Sequence, residues 1–320
     1  MDLSIICVNW NSVDYMRTAI ATIRRYTHNV SYEIIVIDNA SPDGRAGILK
    51  DEFPEIQLVE SHVNLGFARA NNLGFKHASG RCLLFLNPDT ELVGPAIDIM
   101  MKHMDALPGA GAAGCKLLNS DGSIQTSCVQ TFPTIMNQLL DIDYLRVRWP
   151  HCKLWDVGML FSENRGPVRV EMISGACLMV SRNVFERVNM FSEEYFMYAD
   201  DVDLCYKIQS LGLNNYYIGD ATVIHHGGKS SSQRSANQWS VIMKFNSIFQ
   251  FCVKTRGWFY GLIYRLAMAG SASVRLLLLG ILFIVRSLQG KASSLRYVTT
   301  KWIAVLKWSL GLKNWTLQNN

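Results

Sequence analysis

The last hundred residues of this chain contain no aspartate and no glutamate. Residues 221–320 carry 13 Lys and Arg side chains, whereas residues 1–220 hold all 26 acidic residues against 18 basic ones. A basic segment that is also rich in Trp and Leu indicates an anionic, apolar neighbour such as a lipid surface. Nucleic acid is the rival partner, but the segment is too apolar and too weakly clustered in Arg to favour it.

Paired cysteines and a secretory leader are also missing. The eight cysteines stand singly, without a C-x-x-C pair, and most of them lie within apolar runs. They are therefore predicted to be reduced core residues of a cytoplasmic protein, not disulfides or zinc ligands. The chain begins a strand almost at once, with no basic region ahead of an apolar core, so we expect no secretory signal.

What is present is an alternation of short apolar strands and helices. The first predicted strands are residues 3–8, 33–37, 56–60 and 81–86. The helix between the first two has one apolar face, made of Val13, Met16, Ile20 and Ile23. Continuously apolar strands are typical of a parallel sheet with helices on both faces. We predict an α/β fold with a Rossmann-like, mostly parallel sheet, whose ligands lie at the carboxyl ends of the strands.

Polar residues follow these strands where ligands are expected. Asn9 and Asp38 end the first two strands, and Asp38 is either a turn cap or an acceptor for a nucleotide base or ribose. Residues 64–74 are rich in glycine and amides and offer donors to a phosphate or sugar. Asp89 follows the fourth strand behind a proline that fixes the turn, a good position for an oxygen ligand to Mg²⁺ or Mn²⁺.

A run of acids and aromatics at residues 193–204, EEYFMYADDVDL, brings Asp200, Asp201 and Asp203 within four positions. Carboxylates this close repel one another and need a metal, a donor or a proton, unless they only cap a helix or lie on the surface. The apolar residues that follow have helical spacing, so Asp200 is a predicted N-cap and the carboxylates are expected at the helix N-terminus.

Later segments are less regular. Periodicity fades over residues 131–166, which we interpret as an insertion that could wall an acceptor pocket. Residues 168–174 and 175–180 resume strand character, and the short strands 215–218 and 221–224 lead to a histidine pair. His225 in that pair is either structural or a metal ligand.

As a set, these residues resemble glycosyltransferase family 2, the inverting enzymes with a GT-A fold, and in particular its rhamnosyltransferase-like branch. The motifs follow the family's order over residues 1–235: VNWN at 8–11, IDNAS at 37–41, NLGFARANNLG at 64–74, LFLNPDT at 84–90, SGACLMV at 174–180, FMYADDVDL at 196–204 and HHGGKSS at 225–231. Two positions depart from the family's usual pattern: Asp200 stands where Glu is frequent, and Asn87 replaces the first acid of Asp-x-Asp. Asp89 is therefore expected to be the main carboxylate on the metal.

The resemblance implies a site made from these motifs. Asp201 would act as the general base that takes the proton of an acceptor hydroxyl, and the charges of Asp200 and Asp203 would orient it or raise its pKa. Mg²⁺ or Mn²⁺ would bridge Asp89 and the donor diphosphate, with His225 as a possible second ligand. The implied contacts to the nucleotide-sugar are Asn9, Asp38, Asn64, Gly66, Arg69, Asn71, Asn87 and Lys229.

The implied function is an inverting, metal-dependent hexosyltransferase. It would move L-rhamnose from dTDP-L-rhamnose to a polyprenyl-diphosphate-linked saccharide of an O-antigen, capsule or cell wall. A transferase that uses a UDP-sugar is the nearest alternative. From a different class, a nucleotidyltransferase lacks its Gly-rich activating loop here, and a non-catalytic sugar-nucleotide-binding subunit would have been expected to lose Asp89 or Asp201.

The chain beyond the motifs is predicted to be a second domain, a helical tail over residues 236–320. Its first part has helical spacing and is expected to pack on the catalytic domain of residues 1–235; the spaced residues are Trp239, Ile242, Phe245, Phe249 and Cys252. The apolar segment 257–285 contains Arg265 and Arg275, so its clean run is only 10 residues. A spanning helix needs about 20.

Alternating Trp and Lys side chains mark the end of the tail; they are Trp302, Trp308 and Trp315 with Lys301, Lys307 and Lys313. This pattern is typical of helices that lie in a membrane interface. We therefore expect a peripheral or monotopic protein at the cytoplasmic face of the bacterial inner membrane. A tilted or re-entrant span and a helical dimerisation module are the alternatives, and the oligomeric state is open.

Overall fold

The computed structural model describes residues 1–140, 142–163, 166–227, 238–288 and 295–312. The chain divides into two compact units, which we call the sheet unit and the helical unit. The sheet unit comprises Met1–Phe132 and Ile142–Ser231, and the helical unit comprises Pro133–Asp141 and Ser232–Asn320. The segment that we interpreted as one insertion is thus divided between the units. The predicted domain boundary at residues 235–236 lies outside the described residues and stays a prediction.

Strands and helices alternate through the first two thirds of the chain. The strands are β1 (Leu3–Asn9), β2 (Tyr32–Asp38), β3 (Gln57–Glu60), β4 (Cys82–Leu86), β5 (Thr90–Leu92), β6 (Ala110–Leu118), β7 (Val129–Gln130), β8 (Val168–Val170), β9 (Met172–Ile173), β10 (Cys177–Ser181) and β11 (Asn214–His225). The helices are α1 (Val13–Tyr26), α2 (Gly47–Glu52), α3 (Gly66–Phe75), α4 (Ala96–Ala106), α5 (Ile135–Leu139), α6 (Asp143–Arg148), α7 (Arg182–Arg187), α8 (Asp200–Ser210), α9 (Gln238–Arg256), α10 (Trp258–Leu288) and α11 (Arg296–Ser309).

One mixed sheet organises the sheet unit. Its strand order is β3-β2-β1-β4-β10-β6-β11-β5, with β8 paired to β11, and β7 and β9 form a separate small sheet. The first four strands are parallel to one another, as predicted. Strand β10 runs antiparallel between β4 and β6. The predicted α/β fold is confirmed, and the antiparallel partners make the sheet mixed.

Both faces of the sheet are buried, because alternate side chains of the continuously apolar strands point to opposite sides. In β1, Ile5 belongs to the cluster covered by α1 and α4, while its neighbour Ile6 belongs to the cluster covered by α3 and α8. In β4, Leu84 and Phe85 divide in the same way. The carboxyl ends of these strands are therefore the edge where polar residues can collect.

The two short strands expected over residues 215–224 form the single strand β11. Its pairing with β6 is irregular between Ile218 and Thr222, where the strand accommodates extra residues. A bulge of this kind bends a strand without ending it. Strand β11 therefore continues to His225, which pairs in register with Thr90 of β5.

In the helical unit, α9, α10 and α11 pack on one another around Ala272, Trp302 and Val305. Phe245 and Phe249 of α9 lie 6.1 and 6.3 Å from the ring of Trp308, so part of the predicted apolar stripe packs within this unit. Prolines are absent from residues 168–320, so none interrupts these helices. Trp315 and Lys313 of the predicted interfacial pattern lie outside the described residues.

Helix α10 is longer and more apolar than the clean run of the sequence suggested. Its segment Trp258–Phe283 spans 26 residues and contains an 18-residue window with mean hydropathy 1.9, of which only 11% is buried, so by length and composition it could cross a membrane. The two arginines do not interrupt it, because they have partners within the unit. Arg265 donates to the carbonyl of Trp308 at 2.7 Å, and Arg275 donates to the carbonyl of Leu139 at 2.8 Å.

Candidate active site

Asn9 and Asp38 meet at the carboxyl ends of β1 and β2, where the sequence predicted them. The Asn9 amide donates to Asp38 Oδ1 at 2.7 Å. Ser41, which the sequence analysis did not select, donates its hydroxyl to the same oxygen at 2.6 Å and its backbone N–H to Oδ2 at 3.2 Å. These donors hold the nearly buried carboxylate in one orientation, and its oxygens keep acceptor capacity for a ligand.

The start of the 64–74 motif is tied to the second strand and to the acidic stretch. Asn39 donates its amide to Asn64 Oδ1 at 2.9 Å and accepts the backbone N–H of Leu65 at 2.8 Å. Gly66 has φ +75°, and a Cβ at this position would lie 2.2 Å from the carbonyl oxygen of Phe196. Only glycine permits this approach without displacing the backbone. Asn39 is a second positioning residue that the sequence analysis missed.

Two other predicted donor contacts have local roles in the structure. Because residues 66–75 form helix α3 and not an extended loop, Asn71 is 1% exposed and its amide donates to the carbonyl of Phe67 at 3.0 Å. Arg69 is half exposed and donates to the carbonyl of Glu193 at 3.3 Å. Their predicted contacts to a nucleotide-sugar stay predictions. Lys229 lies outside the described residues.

Asp89 and His225 are brought together by the pairing of β5 with β11. Asp89 directly precedes β5, is 1% exposed, and has its Oδ1 3.3 Å from Nε2 of His225. The Nδ2 atom of Asn87 also lies 3.3 Å from this Nε2. On the other side of the ring, Nδ1 lies 2.8 Å from Oε1 of Gln125, a residue that the sequence analysis did not select.

These residues fit a divalent cation only with help from a substrate. In the described part of the chain, no group of three or more His, Cys, Asp or Glu side chains could hold a metal ion. Asp89 and His225 would thus supply one carboxylate and one imidazole, and phosphate oxygens and water would complete the shell, as is usual for Mg²⁺. Neighbouring ligands of an octahedral ion lie about 3 Å apart, which agrees with the separation of these two side chains.

The three clustered carboxylates lie at the start of α8, in three different environments. The N-cap is Ala199, with φ 59°, and Asp200 is the first helical residue, so the predicted cap was wrong by one position. Tyr198 has φ 68°, and this pair of left-handed residues turns the chain sharply into the helix. Asp203 is fully buried, and its Oδ2 accepts the Ser192 hydroxyl at 2.5 Å.

Asp201 is the member of the cluster that is only partly buried, whereas Asp200 and Asp203 are buried. Its Oδ2 accepts the backbone N–H of Gly175 at 2.8 Å, and its Oδ1 accepts that of Val202 at 2.8 Å. Burial raises the pKa of Asp201, while these two backbone donors oppose the rise. The carboxylate is therefore held in place and made more basic than an ordinary aspartate.

The effect of like charge falls on Asp200, whereas we expected it on Asp201. Asp200 is 4% exposed, and its burial, followed by the charge of Asp201, raises its pKa to about 8. Near neutral pH Asp200 therefore holds a proton and adds little negative charge beside Asp201. Sequence spacing indicated three interacting acids, but the direction in which each side chain points decides their protonation.

The fold is that of a GT-A-type glycosyltransferase. The structure resembles that of the mannosyltransferase PcManGT from Pyrobaculum calidifontis in complex with GDP-Man and Mn²⁺, with a TM-score of 0.58 and 16% identity, over 99% of this chain and 88% of that one. The profile described as glycosyl transferase family 2 matches residues 4–188, more than half of the chain. The chain belongs to glycosyl transferase family 2.

Curated relatives confirm the resemblance to the rhamnosyltransferase-like branch. The N-acetylglucosaminyl-diphospho-decaprenol L-rhamnosyltransferase of Mycobacterium tuberculosis is 26% identical over 285 residues, which cover 85% of this chain and 91% of that protein. The rhamnosyltransferase WbbL of Escherichia coli is 23% identical over 273 residues, which cover 79% of this chain and 93% of that protein. The similarity to both relatives therefore extends along nearly their whole length.

Proposed function

We propose that this protein is an inverting sugar transferase that acts on a polyprenyl-diphosphate-linked saccharide during assembly of a bacterial surface polysaccharide. L-rhamnose from dTDP-L-rhamnose is the proposed donor, because two relatives that align over most of the chain are named rhamnosyltransferases. The observation that supports the proposal most is the Asp201 carboxylate, partly accessible and held by two backbone N–H groups at the start of α8.

In the proposed reaction, Asp201 is the general base. It takes the proton of an acceptor hydroxyl while that oxygen forms a bond to the anomeric carbon, and the bond from this carbon to the donor diphosphate breaks. Attack from the face opposite the leaving group inverts the anomeric configuration. The raised pKa of Asp201 suits this role, because a more basic carboxylate accepts a proton more readily from a weakly acidic hydroxyl.

The other strand-end residues would bind the donor. Asp38, oriented by Asn9 and Ser41, would accept a hydrogen bond from the nucleotide base or ribose. Asp89 and His225 would hold Mg²⁺ or Mn²⁺, which when bound offsets the charge that develops on the leaving diphosphate. Asp89 is nearly excluded from water, which strengthens its attraction for a cation.

We also propose that the helical unit holds the enzyme at the cytoplasmic face of the membrane, where a lipid-linked acceptor is found. Over residues 258–283, the exposed large side chains of α10 are apolar; they include Phe259, Ile263, Leu266, Val274, Leu277 and Ile281. Both arginines within the apolar segment instead donate to backbone carbonyls of the helical unit. A face of this kind fits the hydrocarbon of a bilayer, and the basic residues around it fit anionic headgroups.

A binding experiment followed by a transfer experiment tests the function. Thermal stability of the full chain in detergent is measured with dTDP, UDP or GDP, each with and without Mn²⁺, since a ligand of the folded state raises stability by mass action. We expect a shift with dTDP that depends on Mn²⁺, and then transfer of rhamnose from dTDP-L-rhamnose to a polyprenyl-diphosphate saccharide. A shift with UDP alone would refute the rhamnose donor, and no response to any nucleotide would refute the transferase assignment.

A further inference from the structure

A short hairpin between β6 and β7 contacts both histidines at the end of β11. Its strands meet at the bridge between Leu118 and Ile124, and its turn contains Gly122 with φ 81°. From this hairpin, Oγ of Ser120 lies 2.8 Å from Nδ1 of His226. Gln125 Oε1 lies 2.8 Å from Nδ1 of His225, as described above. We call residues 118–125 the histidine hairpin.

The donor and acceptor of each hydrogen bond in the histidine hairpin can be assigned in turn, beginning from Asp121. The carboxylate of Asp121 can only accept, and it lies 2.6 Å from Oγ of Ser123, so the serine hydroxyl donates its single proton to it. This hydrogen bond, together with that from the Ser123 backbone, lowers the pKa of Asp121. Ser123 Oγ must then accept from its other neighbour, the Asn119 amide nitrogen, at 2.9 Å.

The same logic continues from Asn119 to the ring of His225. With its nitrogen facing Ser123, Asn119 presents Oδ1 to the amide nitrogen of Gln125 at 3.1 Å. Gln125 therefore presents its oxygen to His225 Nδ1, and this nitrogen must carry the proton that is shared between them. A neutral imidazole has one ring proton, so its Nε2 is left with a lone pair.

The nitrogen that keeps this lone pair lies beside Asp89. Nε2 of His225 and Oδ1 of Asp89 are then two acceptors only 3.3 Å apart, an arrangement that a shared cation stabilises. The Asn87 amide nitrogen, 3.3 Å from Nε2, is a donor that can satisfy the same lone pair. Had the ring proton been on Nε2, that nitrogen would have no lone pair and the imidazole would be unable to bind a metal there.

We propose that the histidine hairpin fixes the ring proton of His225 on Nδ1, with Gln125 as the positioning residue, and so prepares Nε2 to bind a divalent cation together with Asp89. This inference rests on the proposed function, in which that cation serves the donor diphosphate. Groups that orient a metal-binding histidine through its second nitrogen commonly change metal affinity 10- to 100-fold when removed. A series of hydrogen bonds in the hairpin thereby connects Asp121 to the site formed by Asp89 and His225.

The ring proton can be located without any metal. We would record two-bond ¹H–¹⁵N spectra of the protein with ¹⁵N-labelled histidine, above the pH at which the ring titrates, and assign His225 by its loss in His225→Gln. We expect a protonated Nδ1 in the unaltered protein and in Ser120→Ala, which removes only the contact to His226. In Gln125→Leu the proton should move to Nε2, whereas Gln125→Glu, which keeps an acceptor, should retain it on Nδ1. A proton on Nε2 in the unaltered protein would overturn the inference.

Binding of Mn²⁺ in the presence of dTDP, followed by electron paramagnetic resonance, provides the second readout. Gln125→Leu should bind Mn²⁺ at least about 10-fold more weakly, and Gln125→Glu and Ser120→Ala within about threefold of the unaltered protein. If Gln125→Leu binds as tightly as the unaltered protein, the inference is wrong and the proposed function stands. If the unaltered protein binds no Mn²⁺ with dTDP, the proposed metal-dependent function itself fails, whatever the position of the ring proton.

Discussion

The sheet unit keeps its apolar strands inside, with β4 fully buried, and places the buried carboxylates of Asp38 and Asp89 beside the ends of strands. The helical unit does the reverse along residues 258–283 of α10, where many large apolar side chains are exposed and Arg265 and Arg275 donate to backbone carbonyl groups. The difference indicates that the position of charged side chains in each unit depends on the medium around its surface. Under the proposed function, the first unit would meet water and a phosphorylated substrate, and the second would meet lipid.

The largest expected effect comes from Asp201, the acid of the 200–203 cluster that is only partly buried. Asp201→Asn should lower kcat by about 10² or more, because it removes the proposed general base, while binding of dTDP with Mn²⁺ should be nearly unchanged. In the unaltered enzyme kcat should fall as pH drops through the raised pKa of Asp201, since a protonated carboxyl cannot accept the hydroxyl proton. Rates of sugar transfer over a pH series measure both.

Glu194→Gln is the matched control for that change, because it removes an exposed acid from the same stretch. It should leave kcat within about twofold of the unaltered enzyme, as is usual for surface changes. A near-normal rate in Asp201→Asn, with this control also normal, would exclude Asp201 as the base.

A second acid of the sheet unit tests the cation site. Asp89→Ala should weaken binding of dTDP in the presence of Mn²⁺ by about 10² and leave binding without metal unchanged, because a ligand matters at least as much as the groups that orient it. Titrations of dTDP with and without Mn²⁺ measure the difference. Equal affinity of the variant and the unaltered protein in Mn²⁺ would contradict the role of Asp89 as a ligand.

Membrane binding by the helical unit is tested by introducing charge at exposed apolar positions of α10. Leu266 and Leu277 are 59% and 67% exposed on α10, and Leu266→Glu together with Leu277→Glu should weaken vesicle binding at least about 10-fold, because a charge within a bilayer costs about 2.5–3.5 kcal/mol. Co-sedimentation with vesicles that contain anionic lipid measures the effect. Thr18→Glu, on the exposed face of α1, is the control and should bind as the unaltered protein does. Unchanged sedimentation of the double variant would contradict the proposal that the exposed apolar face of α10 binds lipid.

The smallest expected effect concerns stability and pH in the sheet unit. The folded state raises the pKa of Asp200 from 3.8 to about 8, so between these values it binds a proton that the unfolded chain has released. The contribution of this group to the stability of the folded state is therefore complete at low pH and is lost as pH rises toward 8. In Asp200→Asn the side chain cannot ionise, so this loss of stability does not occur. The free energy of unfolding of the variant should exceed that of the unaltered protein by at least about 1 kcal/mol at pH 8, and the difference should shrink toward pH 4.

Thermal unfolding from pH 5 to pH 9 measures that difference. Asp203→Asn serves for contrast, because Asp203 accepts the Ser192 hydroxyl and lies 3.5 Å from the Lys207 amine. Loss of this buried carboxylate should lower stability at every pH in the range. A gap between Asp200→Asn and the unaltered protein that widens toward low pH would show that the pKa of Asp200 is not raised.

Much of the fold could be predicted from the sequence because its signals are local. Apolar runs of strand length fall within a residue or two of β1, β2, β3 and β4, and Asn9 and Asp38 meet because parallel neighbours end at the same edge. The acidic cluster was also found, from its spacing and its resemblance to a family motif. Its protonation was not, because burial depends on side chains far along the chain.

Positioning residues escaped the sequence analysis for the same reason. Gln125 and His225 are separated by 100 positions, and only the pairing of strands makes them neighbours. For Asn71 the structure adds a local contact that its place in the motif did not indicate, since its amide donates to a carbonyl of its own helix. Arg265 was interpreted as a break in an apolar run, although its guanidinium donates a hydrogen bond to a carbonyl on another helix.

By itself, the sequence determined the α/β class, the order of the strands along the chain, the family and the separation of acidic from acid-free residues, since all of these reside in composition and local pattern. Tertiary structure alone decided which acid stays accessible, which nitrogen of His225 faces Asp89, and which side of α10 is left apolar. Hydrogen bonds and burial act between atoms a few ångströms apart, and folding brings those atoms together from distant parts of the chain.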